Sequence, residues 1–213
     1  MLSNLINFKS PPKNNFFAPE WDYYLIESMI KDINCSSLSK FLKNKEKEIL
    51  KLKAGTDGYT GLGKNSVTAR HASYNLFDFK NKEISKLKKN ILALNEIFLK
   101  RLSLTYKTFF IKGWYNVLRK NEEIKPHLHG TGPDEYLGGH FCVQCNNTST
   151  YYINPVNQLN EPVFHKSQNK IGKLTLFQNC IPHYTDIQKS NDERITIAFD
   201  LMLTQYKQTY KKL

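Results

Sequence analysis

Cysteine is scarce in this chain, with four in 213 residues, at positions 35, 142, 145 and 180. So few thiols, scattered over this length, exclude a disulfide-stapled scaffold. No apolar run reaches the length that spans a bilayer. The opening residues, Met1 to Asn7, show no basic stretch followed by a long apolar segment, so no secretory leader is read there. Acidic residues are also few: 19 Asp and Glu face 31 Lys and Arg, a formal net charge of +12. Such a surplus admits an anionic partner, nucleic acid included, but a Lys- and Asn-rich composition with solvated lysines produces the same number and is favoured. These absences lead to the expectation of a reduced, cytoplasmic protein without a membrane segment, its oligomeric state open.

What is present suffices for a core. Hydrophobic residues make up 40% and aromatics 13% of the chain, which excludes full disorder. The length predicts a single domain over 1–213. Within it, 1–105 reads as mostly helical, 106–204 as all-β, and 205–213 as a basic tail.

Residues 1–19 read as an irregular lead, broken at Pro11-Pro12 and Asn14-Asn15. Tyr24, Ile26, Met29, Ile30 and Ile33 fall at helical spacing and predict a helix from Tyr23 to Asn34. A second helix is predicted over Leu38–Leu52, with Ser37 as its cap. Gly55 to Gly63 forms a glycine-rich loop. It does not match a phosphate cradle, because Lys64-Asn65-Ser66 departs from the GK[ST] ending. Val67–Phe79 reads as extended. Ile84, Leu87, Ile91, Leu94, Phe98 and Leu102 then form one apolar stripe with lysines opposite, the signature of an amphipathic helix lying on a sheet. Beyond Thr105, short β-like runs recur at 109–111, 114–118, 140–143, 150–153, 162–164, 173–177 and 194–203. Many short strands at regular spacing predict a sandwich or barrel.

Three histidines stand out. Alternate residues of an extended segment point to one side, so His127 and His129 can grip one ion, with His183 joining from a neighbouring strand. Three ligands on one face leave coordination positions open, as an oxygen-activating iron requires. Arg194 lies eleven residues after His183. With Thr196 on the same strand face it offers a guanidinium fork and a hydroxyl, a receptor for a carboxylate. Cys142 and Cys145 form a lone CxxC in a strand, where residues three apart face opposite ways, so neither zinc nor redox chemistry is expected of them.

In order along the chain stand Trp114–Leu118, Lys125-Pro126-His127-Leu128-His129, Gly138-Gly139-His140-Phe141, Tyr152-Ile153-Asn154-Pro155, Gly172–Phe177, Pro182-His183 and Glu193–Phe199. This series resembles the 2-oxoglutarate/Fe(II)-dependent oxygenases with a double-stranded β-helix, over about residues 108–203. The resemblance implies an α+β fold with a double-stranded β-helix (jelly-roll) core and the N-terminal helices packed on its outside. It also implies oxidative decarboxylation of 2-oxoglutarate by O2, coupled to oxidation of a C–H bond in an unidentified small molecule or protein side chain. His127, His129 and His183 would hold Fe(II), Arg194 and Thr196 the far carboxylate of 2-oxoglutarate, and Asn116 would add a hydrogen bond nearby. The wider superfamily places a carboxylate where His129 stands, so Asp134 and Glu135 remain alternatives for the third ligand. A cupin-type metal site using His127, His129, Glu135 and His183 is the rival reading, but it gives Arg194 and Thr196 no task. The DNA-repair branch is disfavoured, since no second arginine follows Arg194.

Overall fold

The computed structural model describes residues 1–9, 22–105, 109–130, 134–155, 163–203 and 211–212. Strands β1 (Ser3–Lys9) and β2 (Asp22–Met29) lead into helices α1 (Cys35–Ile49) and α2 (Lys82–Arg101). Then follow β3 (Phe110–Leu118), β4 (Glu135–Gln144), β5 (Ser149–Ile153), β6 (Phe164–Gln168), β7 (Lys173–Gln178), β8 (His183–Thr185), β9 (Arg194–Met202) and β10 (Lys211–Lys212). They assemble into a seven-stranded sheet, β1-β2-β7-β4-β9-β3-β10, and a three-stranded sheet, β6-β5-β8. All pairings are antiparallel.

The large sheet is covered on both faces, and β9 shows how. Ile195, Ile197, Phe199 and Leu201 point to one side, into a core shared with Leu38 and Leu42 of α1 and with Ile84, Leu87, Ile91, Leu94 and Phe98 of α2. Each such fully buried side chain is worth about 1.5–3 kcal/mol of transfer free energy. The other face of β9 carries Arg194, Thr196, Ala198 and Asp200, all lining a cavity between the two sheets. Beside that cavity a smaller cluster of Phe8, Leu25, Tyr152, Phe177 and Ile181 joins the sheets. A jelly-roll arrangement accounts for this architecture.

Several expectations need correction. The predicted helix from Tyr23 is strand β2, paired with β1 and β7. Leu25 faces the small cluster and Ile26 the large one, both fully buried. Burial on both faces erased the strand's alternation and left a pattern that matches helical spacing. Part of the supposed irregular lead is β1, so the large sheet takes strands from both sides of residue 105; Pro11-Pro12 and Asn14-Asn15 lie outside the described residues. The first helix begins earlier than predicted, and Asn34 rather than Ser37 caps it, with its Oδ1 accepting from Ser37 N at 2.9 Å. Residues 67–79 are not extended but form two 3₁₀ turns, Thr68–Arg70 and Leu76–Asp78. There the Asn75 amide accepts from Gly113 N and donates to Ile111 O, satisfying β3 through a side chain. The runs at 109–111 and 114–118 merge into β3, and the one near 164 extends to Gln168, position 162 lying outside the described residues. Of the basic tail, only Lys211 and Lys212 are described, paired with β3.

Candidate active site

His127 and His183 are tied to each other through their backbones. His127 N donates to His183 O, and His183 N donates to His127 O, both at 3.1 Å. This bridge puts the two rings 4.3 Å apart between centroids. His129, two residues on, brings its ring to 5.1 Å from His183 and 5.8 Å from His127. One nitrogen from each ring can be chosen so that all three lie within 4.8 Å of one another, and among the described residues this is the one group able to hold a metal ion. Asp134 and Glu135 are not part of it.

Each ring is oriented by its Nδ1. His127 Nδ1 donates to Lys125 O at 2.9 Å, His183 Nδ1 to Ile181 O at 3.3 Å, and His129 Nδ1 to Asp200 Oδ1 at 2.5 Å. With every Nδ1 engaged, the Nε2 lone pairs are left for a cation. Burial drives the His127 pKa down to about 4 and that of His183 well below its ordinary value, with the neighbouring imidazoles adding to both shifts. Neutral rings are what a metal needs. The donor set therefore fits a divalent first-row ion. Asp200 is itself buried, and Gly138 stands opposite it in the β4–β9 register. A Cβ on Gly138 would lie 2.7 Å from His129 Nδ1, so the missing side chain makes room for the His129–Asp200 pair.

Arg194 occupies the other end of the cavity. It is 2% exposed, and its Nη2 donates to Thr150 Oγ1 at 3.3 Å. Its Nε and Nη1 are buried without a partner. Burial lowers its pKa, yet a guanidinium keeps its proton in a protein. A buried cation with two idle donors fits an anion. Thr150 pairs with Thr185 in the small sheet, two residues along from the Tyr152–His183 pair. At strand rise that is roughly 6–7 Å, a span suited to a short dicarboxylate reaching from the histidines to Arg194. Asp200, on the same strand face, bonds to His129.

Thr196 and Asn116 also line the cavity. Asn116 Oδ1 already accepts from Thr68 Oγ1 at 2.7 Å, which leaves its NH2 for other use. The cavity, of about 260 Å³, is lined further by Asp57, Tyr59, Thr60, His71, Trp114 and His140. None of these six was singled out from the sequence for the site. The glycine-rich loop, read as a plain connection, thus contributes to the wall. Asp57 holds that loop, accepting from Tyr59 N and Gly63 N. Tyr59 takes a left-handed conformation, φ 63°, and stays exposed. The ring of Trp114 bridges His71, at 5.7 Å, and His129, at 5.6 Å. The CxxC geometry also differs from expectation. A register shift between Cys142 and Gln144 breaks the strand alternation, and the two thiols interact by a hydrogen bond that lowers the Cys145 pKa to about 7 and raises that of Cys142.

No family model matches the chain, and no curated protein matches it. Solved structures do. A prolyl-4-hydroxylase from Pseudomonas putida is similar with a TM-score of 0.57 at 10% identity, over 84% of this chain and 92% of that one. A prolyl hydroxylase from Trichoplax adhaerens, solved with a hypoxia inducible factor peptide fragment, gives 0.55 at 12% identity over 83% of each chain. The viral collagen prolyl hydroxylase of Paramecium Bursaria Chlorella virus-1, solved as a 2OG complex, gives 0.52 at 15% identity over 85% of this chain and 96% of that one. The chain shares its fold with these prolyl hydroxylases. Among the described residues, no helix is long and apolar enough to cross a membrane.

Proposed function

We propose that this chain is an Fe(II)- and 2-oxoglutarate-dependent oxygenase that oxidises a C–H bond, a hydroxylase in its simplest outcome. One observation carries the reading: a single cavity joins three converging imidazoles to a buried guanidinium with idle donors. The fold shared with prolyl hydroxylases supports it. His127, His129 and His183 would hold the iron, and Arg194, with Thr196 and Thr150 beside it, would hold the distal carboxylate of 2-oxoglutarate. When bound, iron and 2-oxoglutarate supply the activation of O2, with succinate and CO2 as coproducts.

The chain's own residues bind, orient and exclude. Three backbone or carboxylate acceptors fix the imidazole tautomers through Nδ1. Arg194 fixes the direction of the diacid, because a bidentate guanidinium–carboxylate pair has a preferred plane. Trp114, His71 and Tyr59 form an aromatic wall beside the metal end, where the unidentified substrate would enter. A cupin-type site would require Glu135 among the ligands, and Glu135 is not in the metal-binding group.

The test is anaerobic titration of the Fe(II)-loaded protein with 2-oxoglutarate, followed by visible absorption. A charge-transfer band that saturates at one equivalent is the expected result. Absence of both the band and 2-oxoglutarate binding would overturn the proposal.

A further inference from the structure

Resting on the reading above, we infer that His140, oriented by Tyr152, is a further cosubstrate-binding residue, donating from Nδ1 to the distal carboxylate beside Arg194 and making the cavity select a 2-oxo diacid over a 2-oxo monoacid. His140 lies on β4 opposite Ala198 of β9, a small neighbour that leaves it open to the cavity it lines. It is 7% exposed. Across the gap between the sheets its ring runs parallel to that of Tyr152, 7° apart in plane and 6.2 Å between centroids. His140 Nε2 and the Tyr152 hydroxyl are 2.5 Å apart.

The direction of that bond decides the chemistry. Tyr152 is fully buried, and a buried phenol donates its hydrogen to an acceptor. We assign that hydrogen to His140 Nε2, with Thr175 as the other neighbour of the hydroxyl, and the single proton of the neutral imidazole then sits on Nδ1. Burial and the Arg194 charge, which bring the His140 pKa down to about 3, keep the ring neutral. Nδ1 is buried and has no partner. It joins Arg194 Nε and Nη1, likewise buried and idle. Three donors without an acceptor call for a group with several lone pairs, and an ionised carboxylate offers about four. A 2-oxo monoacid would chelate a metal equally well but would leave all three donors unmet.

The test measures binding by calorimetry on the Zn(II)-loaded protein, with 2-oxoglutarate and 2-oxopentanoate as probes. The parent is expected to prefer the diacid. His140→Leu should weaken 2-oxoglutarate about tenfold and leave 2-oxopentanoate unchanged. Isosteres sharpen this: the Asn amide nitrogen overlies Nδ1, whereas Gln reaches only toward Tyr152. His140→Asn should therefore stay within about threefold of the parent, and His140→Gln should lose as much as Leu. Equal affinity of parent and His140→Leu, as expected if only water occupies the wall, overturns the inference. So does equal weakening of both acids, which marks a structural role. If the Leu variant does not fold, equal 2-oxoglutarate affinity in the Asn and Gln variants overturns it instead. A parent that binds no 2-oxoglutarate refutes the oxygenase reading as well. A parent that binds it while His140 variants are unaltered refutes this inference alone.

Discussion

The two ends of the cavity are built on opposite rules. At the histidine end every Nδ1 has an acceptor, and the atoms left over are lone pairs. At the Arg194 end the buried atoms without a partner are Nε and Nη1 of the guanidinium and Nδ1 of His140, the last a donor in the tautomer inferred above. On the proposed function the first end takes a cation and the second an anion, which would satisfy buried polar groups that folded proteins rarely leave unpaired. Glu27, by contrast, has Ser167, Lys173 and His165 around it, and its carboxyl pKa falls to about 2.

The sharpest way to break this contrast is at the cation end. His183→Ala removes a ligand and one half of the backbone-bridged pair's chemistry, and is expected to lower divalent-metal affinity by more than about 100-fold, measured by chelator competition. Undiminished affinity would mean that the triad is not the metal site. At the anion end, Arg194→Ala removes charge-assisted hydrogen bonds worth roughly 1.5–3 kcal/mol each. It should weaken 2-oxoglutarate by about one to two orders of magnitude while metal stoichiometry stays at one. Loss of metal instead would show that the two ends are not independent.

Asp200→Asn probes the carboxylate behind His129. The proposed ligands are three imidazoles, and the Asp200 carboxylate stands one residue further out, against His129 Nδ1. The substitution should cost about tenfold in metal affinity, less than loss of a ligand, without affecting 2-oxoglutarate binding to the protein saturated with metal. An unchanged metal affinity would make Asp200 a packing residue.

A separate probe concerns the metal-free protein and pH. His140 and His127 titrate at about 3 and about 4 in the fold, below the ordinary 6.5. The unfolded chain therefore binds more protons between these values, and stability falls as pH drops below about 6.5. The slope is about 1.4 kcal/mol per pH unit for each such histidine. Urea midpoints at pH 7 and pH 5 check this: the pH 5 value should be lower, and His140→Asn should reduce the difference.

Much of this molecule was legible in the sequence, and the failures have physical causes. The α2 stripe was clear because only one of its faces is buried. The strands β3, β4, β7 and β9 could be placed, since β-branched and aromatic runs between turn residues suit no other element. β2 was misread because a strand covered on both faces has no alternation to show. The turns at 67–79 depend on the Asn75 amide meeting β3, a contact with no local signal. At the site, His127, His129, His183, Arg194 and Thr196 were named from spacing, and all five line one cavity. Asp200 was within reach of the same argument, since 194, 196, 198 and 200 alternate onto one face. His140 and the loop around Tyr59 were not, because their place depends on how the two sheets and the preceding loop come together.

The reciprocal bridge between His127 and His183 has a further consequence for how a cation would load. Two of the three proposed ligands are aligned by main-chain bonds that involve no ion, so their ordering entropy belongs to the folding of the strands. Loading is then a local event, unlike that of small domains whose fold appears only with their metal. Near-ultraviolet circular dichroism of the stripped and Zn(II)-loaded protein should nearly superimpose, and the stripped protein should remain cooperatively folded, able to exchange one ion for another without passing through a disordered state.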